Sequence, residues 1–212
     1  ETGSTSRARL LGQAGLLPDE RVMVAAGRLV LGRRVRDAIW NADILSLLFP
    51  DSCLLIFGDG PQRKRLQAFN RALRGWAHSR FLGWQDLSAW WPHVELVLHA
   101  DDEPGVSQVL LEALAAGKPV VASDTASHRE FLDDLVHASL ATLSDRTSLA
   151  RCARRLLRDP QSAVALGVAG QQRVAERFPA AAFVQSHFEL YREVAANSNR
   201  NRTRGRPAAV TG

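Results

Sequence analysis

Short apolar runs alternate along this chain with stretches in which apolar positions recur every three or four residues. The runs at 21–26, 53–57, 80–82, 94–99, 119–122 and 139–143 predict strands, and the helical spacing covers 34–48, 61–74, 86–91, 106–116 and 126–134. Strands that are apolar throughout and separated by helices predict a parallel sheet covered on both faces. The expected fold is α/β, a doubly wound, Rossmann-like parallel sheet of about six strands. Beyond residue 144 the pattern turns wholly helical. Ser144 or Asp145 can cap a helix with Leu149, Cys152, Ala153, Leu156 and Leu157 on one stripe. Asp159-Pro160 restarts the chain and Phe178-Pro179 interrupts it. A last amphipathic helix is expected to bury Phe183, Val184, His187, Phe188, Tyr191 and Val194.

Composition narrows the class. A chain of 212 residues with 46% hydrophobic and 23% charged residues suits one soluble domain, and no apolar run approaches the ~20 residues that span a bilayer. The net charge of +5 is concentrated in Arg200, Arg202, Arg204 and Arg206, so the rest of the chain is nearly neutral and nucleic acid is not the expected partner. The tail 197–212 has too few apolar residues to offset its ordering entropy and is expected to be disordered, as is the opening 1–6, which reads as an extraneous remnant. The domain proper is then 7–196. Cys53 and Cys152 each fall in an apolar pattern and form no metal-like pair, which suits reduced core thiols and a cytoplasmic setting, with peripheral contact of the basic tail at the inner membrane surface left open.

Candidate chemistry lies in the loops that follow strands, where open α/β sheets bind ligands. In AAGRLVLGRRV, Gly27 permits a tight turn, and Arg28 and Arg33 can reach an anion; an ordinary solvated role fits Arg28 as well, since 25 of the 27 basic residues are arginine. Gly58 and Gly60 in GDGP either open a helix against a phosphate or sugar or make a plain tight turn. Gly83 and Trp84 can receive a flat base, or Trp84 can be a core aromatic. In DEPGVSQVLLEALAAGKP a helix starts near Ser107, presenting free N–H groups at Gln108 and Val109. Glu112 sits among Val109, Leu110, Leu111, Ala113 and Leu114, where a carboxylate is costly unless something meets it. Asp101 and Asp102 read as solvated loop acids and not as a metal pair.

GRL with a basic residue at 33, GDGP at 58–61, FLG at 81–83, LLEALAAGKPVVAS at 110–123 and the closing RFPAAAFVQSHFELYREV occur in one order at fitting distances. Together they resemble the carboxyl-terminal, donor-binding domain of family 4 (group 1) glycosyltransferases of GT-B fold, over about residues 7–194. The resemblance implies that Arg28 and Arg33 contact the diphosphate of a nucleotide sugar, Arg33 standing where the family usually has lysine. It also implies that Glu112 holds ribose hydroxyls as the second glutamate of an E-x₇-E motif, that N–H groups near Ser107, Gln108 and Val109 cradle phosphate, and that Gly83 and Trp84 line the base. In that register the first glutamate falls on Pro104; Glu103, one residue earlier, reaches the donor sugar only if the loop bulges.

The implied activity is transfer of a sugar from a nucleoside diphosphate sugar to an acceptor hydroxyl, with retention at the anomeric carbon. Arg28, Arg33 and Glu103 are the candidate catalytic residues; no metal or other cofactor is expected. The amino-terminal, acceptor-binding domain of such enzymes is missing from this sequence. The acceptor is thus unknown, whether a glycan, a lipid-linked sugar or a small molecule, and the fragment is expected to be inactive alone. A non-catalytic nucleotide-sugar-binding module is the alternative.

Overall fold

The computed structural model describes residues 2–74 and 78–204. Its first compact unit, residues 1–174, contains the whole sheet; the second, residues 175–212, is helical over most of its described residues. Six parallel strands, β1 (Arg21–Ala26), β2 (Ser52–Phe57), β3 (Ser79–Gly83), β4 (Val94–His99), β5 (Val120–Asp124) and β6 (Ser139–Thr142), lie in the order β3-β2-β1-β4-β5-β6. The sheet is thus the doubly wound α/β form that the alternation predicts. Strand order reverses between β1 and β4, and the carboxyl ends of the strands at such a switch point are where open α/β sheets form their ligand crevice.

Residues alternate between two apolar layers. Val22, Val24, Cys53, Leu55 and Phe57 join one face, whereas Met23, Ala25, Leu54 and Ile56 join the other. Cys53 is fully buried, and desolvation pushes its thiol up to about 12, which leaves it protonated and unreactive. Both cysteines are free.

Helices α1 (Thr2–Gln13), α2 (Val35–Ser46), α3 (Arg63–Arg71), α4 (Gln108–Ala115), α5 (Ala126–Arg129), α6 (Arg146–Arg158), α7 (Pro160–Arg177) and α8 (Ala180–Arg204) complete the chain. Asp145 caps α6 by accepting from the Thr147 and Ser148 N–H groups, and Asp159 accepts from Ser162 at the start of α7. Within the first unit α7 lies hard against the turn after α4. A methyl at Gly167 would strike the Gly117 carbonyl, and one at Gly170 would come within 2.7 Å of Leu114 Cδ2.

Four expectations are corrected. Residues 86–91 form no α-helix; a single 3₁₀ turn, Trp91–His93, replaces it, because Pro92 breaks the run while Trp90 and Trp91 turn inward, Trp90 onto the Phe57 ring. The helix expected over 126–134 shrinks to Ala126–Arg129. The opening 1–6, expected to be disordered, is helical from Thr2 onward. α1 is fastened by Arg7, which donates to the carbonyls of Pro18, His93 and Glu20. The tail is helical through Arg204, its arginines Arg200, Arg202 and Arg204 being good helix formers; the remainder of the tail, 205–212, and Glu1 lie outside the described residues.

Within the second unit, the face of α8 expected to be buried is not. Phe183, Val184, His187, Phe188, Tyr191 and Val194 are all exposed, because the amphipathic spacing sets which residues share a face but not what covers it. Among the described residues no helix is long and apolar enough to cross a membrane.

Candidate functional site

The loops leaving β1, β2 and β3 are joined backbone to backbone. Gly27 N–H donates to the Phe57 carbonyl, Leu29 N–H to Asp59, Gln62 N–H to Leu29 and Gly58 N–H to Gly83, all at 2.7–3.0 Å. The four glycines singled out in the sequence, Gly27, Gly58, Gly60 and Gly83, are therefore brought together in one rim. Gly58 has φ +111, and a Cβ there would collide with the Gly27 carbonyl; a Cβ at Gly60 would lie 2.6 Å from the Leu29 carbonyl. Side chains are excluded at this point because main chain meets main chain.

The loop leaving β4 closes the other side of the crevice. Asp102 N–H donates to the Gly32 carbonyl at 3.0 Å and Gly105 N–H to Ser127 Oγ at 3.0 Å, which tie residues 101–107 to the β1 loop and to α5. Here the structure joins Arg33 and Glu103. The guanidinium pairs through Nη1 with Asp101 Oδ2 and through Nε with Glu103 Oε2 at 3.2 Å. Glu103 lies across Gly32, where an added Cβ would come within 2.5 Å of its Cγ.

Asp101 is a correction to the sequence reading. Expected to be solvated, it is buried, accepts from the Glu103 N–H at 2.9 Å and lies 3.5 Å from His99 Nε2. Burial alone would raise its pKa; the His99 ring, the Glu103 N–H and the Arg33 guanidinium outweigh burial and hold it below the usual carboxylate value. A folded-state pKa below the unfolded ~3.9 stabilises the fold above that pH and is lost as pH falls through the folded value. Asp101→Asn is therefore expected to lose less stability than the wild type in urea melts between pH 5 and pH 3. Parallel curves would remove Asp101 from the acid response. Asp102 turns elsewhere, 3.6 Å from Arg34, so the two adjacent acids do not converge.

Ser107, Gln108, Val109 and Glu112 lie together at the start of α4. Ser107 is buried and precedes the helix in an extended conformation without bonding to it through its hydroxyl, so the first N–H groups of α4 have no side-chain cap. Glu112 is half-buried, and its Oε1 accepts from Gln108 Nε2 at 2.8 Å. Its apolar neighbours Leu110, Ala113 and Leu114 pack into the core while Glu112 keeps to the helix flank.

Arg28 is exposed and, among the described residues, has no ion-pair partner. Trp84 is 66% exposed, which overturns the core-aromatic reading and leaves its indole free beside Gly83.

Sequence reasoning missed Arg63, whose Nη1 bonds Asp59 Oδ2 at 2.9 Å and lies 3.6 Å from where a Gly83 Cβ would be. Its place at the first position of the helix after GDGP was the available signal. The cluster of buried Asp37 with partly exposed Arg34 and Arg146 gave none, because Asp37 and Arg146 lie far apart in sequence and only the fold brings Arg146 to 2.5 Å from a carboxylate that also meets Arg34 at 2.5 Å. A groove of about 360 Å³ lined by Val30, Leu31, Arg36, Arg65, Leu66 and Phe69 contains neither Arg33, Glu103 nor Glu112 and lies between α2 and α3.

The family model for glycosyl transferases of group 1 matches residues 20–159, the stretch that carries every strand and loop just described. The chain belongs to this family. A curated relative, the GDP-mannose-dependent alpha-(1-6)-phosphatidylinositol monomannoside mannosyltransferase of Mycolicibacterium smegmatis, is 32% identical over 183 residues, covering 78% of this chain and 46% of its own. HepE of Anabaena, solved in complex with UDP-glucose, superposes with a TM-score of 0.80 at 23% identity over 89% of this chain and 53% of its own. The isolated carboxyl-terminal domain of LpcC, a group 1 glycosyl transferase of Francisella tularensis, superposes with a TM-score of 0.69 at 16% identity, covering 81% of this chain and 92% of its own. The chain spans about half the length of the curated relatives it matches. Its fold is accordingly that of one half of a GT-B glycosyltransferase.

Proposed function

We propose that this chain is the donor-binding half of a retaining glycosyltransferase that takes a hexose from a nucleoside diphosphate sugar. The observation that carries the reading is the crevice at the β1/β4 reversal, where Arg33 and Glu103 meet beside the uncapped start of α4 and the glycine rim. As the glycosidic bond breaks, negative charge grows on the departing diphosphate. Arg28, Arg33 and the N–H groups of Gln108 and Val109 would stabilise that charge, so the reading assigns the role to the chain itself and to no metal. Glu112 would receive the ribose hydroxyls, and exposed Trp84 with Gly83 would border the base.

The acceptor half, and with it the choice of glycan, lipid-linked sugar or small molecule, belongs to sequence beyond this chain. The relatives named above supply two donor chemistries for testing, uridine and guanosine diphosphates. Thermal melts with UDP, GDP and their sugars are expected to show a shift on the order of 5 °C for one base at 100-fold excess over Kd. Arg28→Ala and Glu112→Ala are expected to abolish the shift. No shift with any nucleotide would end the proposal.

Pro104 at the position of the first motif glutamate, with Glu103 drawn onto Arg33, favours a second reading, a binding module without turnover. Transfer by the full-length protein would exclude it.

A further inference from the structure

Arg33, the cation assigned to the diphosphate, is already neutralised twice. Its Nη1 pairs with Asp101 and its Nε with Glu103, so the trio carries a net negative charge that opposes an incoming diphosphate. The two carboxylates differ in how firmly they are held. The Asp101 side chain is only 4% exposed and is also bonded to the Glu103 N–H, whereas the Glu103 side chain is 37% exposed, rests on Gly32 and, among the described residues, pairs its carboxylate with Arg33 alone. The Nε position that Glu103 occupies is one prong of the fork with which arginine grips a phosphate.

We propose that Glu103 is a displaceable internal counter-anion: it holds Arg33 in place while the site is empty, and the donor diphosphate displaces it, freeing the carboxylate beside the sugar. Asp101 remains on Nη1 throughout as the positioning residue that keeps the guanidinium aimed into the crevice. Donor binding and the arrival of a carboxylate at the sugar thereby become one event, and the displaced Glu103 supplies from position 103 the group that Pro104 lacks. The inference rests on the donor-site reading above.

The test is isothermal titration of UDP and GDP into the wild type, Glu103→Gln and Asp102→Asn, with melts in the absence of ligand to verify folding. Glutamine fits over Gly32 but competes poorly for Arg33, so E103Q is expected to bind the nucleotide about three- to fivefold more tightly, the upper scale of a partly exposed ion pair. D102N removes the same charge one residue away from a carboxylate that faces Arg34, and its affinity is expected to change less than about twofold. Unchanged or weaker binding by E103Q, with the wild type binding normally, would overturn the displacement while sparing the donor site. Equal tightening in D102N would overturn it too, reducing the effect to general charge. Failure of all three proteins to bind either nucleotide would overturn the donor-site reading itself, and the inference with it.

Discussion

Alanine at Gly58 is expected to cost about 3–5 kcal/mol, combining backbone strain with overpacking. The backbone there has φ +111, which side chains with a Cβ rarely adopt, and the obstacle to the new methyl is the Gly27 carbonyl, itself fixed by the Gly27 N–H bond to Phe57. Neither partner is a flexible tip that can turn aside. For a chain of this length the loss corresponds to roughly 10 °C in Tm. Gly105→Ala supplies the comparison. It also has positive φ, +94, but no atom lies within 4 Å of its added Cβ, so only the strain of about 1–2 kcal/mol applies. Equal melting points for the two variants would show that the junction of the β1 and β2 loops yields.

The second large effect is expected at Asp37, on α2 away from the crevice. Its carboxylate is buried and lies 2.5 Å from both Arg34 and Arg146, binding the start of α2 to that of α6. Arg34 begins α2 in a left-handed conformation, φ 46, and does not cap it through its side chain, so Asp37 is the only acid of the first turn and meets the positive end of the helix as well. Asp37→Ala takes the acidic partner from Arg146, leaves Arg34 only the longer pairing with Asp102 at 3.6 Å, and removes the charge at the helix start. Breaking a buried pair costs about 3–5 kcal/mol, and the partial exposure of Arg146 places this case near the lower end. Asp51→Ala, which removes the exposed partner of Arg21, is expected to cost less than about 1 kcal/mol. Chemical denaturation at neutral pH measures both; similar losses would mean that the Asp37 cluster is solvated and contributes no more than a surface pair.

These two sites also mark how far the sequence could be read. Gly58 was legible because a glycine at a strand end already states a backbone requirement, and the strands were legible because parallel strands buried on both faces appear as unbroken apolar runs such as Cys53–Leu54–Leu55–Ile56–Phe57. Asp37 was not legible, since its partner Arg146 belongs to an element added more than a hundred residues later. Asp101 failed in the opposite direction. The residues that follow it, Asp102 and Glu103, are acidic, and its burial depends on β4 ending beside β1, a pairing visible only in three dimensions. Periodicity on α8 was read correctly as amphipathic, but a pattern of faces does not name the surface that meets them. Within the site, Arg33 and Glu103 were each legible as charged groups, while their mutual pairing required the two loops to be seen together.

The close fit of α7 against the turn at Gly117 bears on how related enzymes could come to accept different sugars. With its trailing end seated main chain to main chain, α4 cannot pivot there, so Glu112 behaves as a fixed datum. On the proposed donor-site reading, room for a larger or differently configured hexose would have to be found in the seven residues before the helix, whose ties to the neighbouring loops are a few single hydrogen bonds. Substrate preference among such chains should therefore track the length and wording of that short stretch, while the helix keeps a constant tilt.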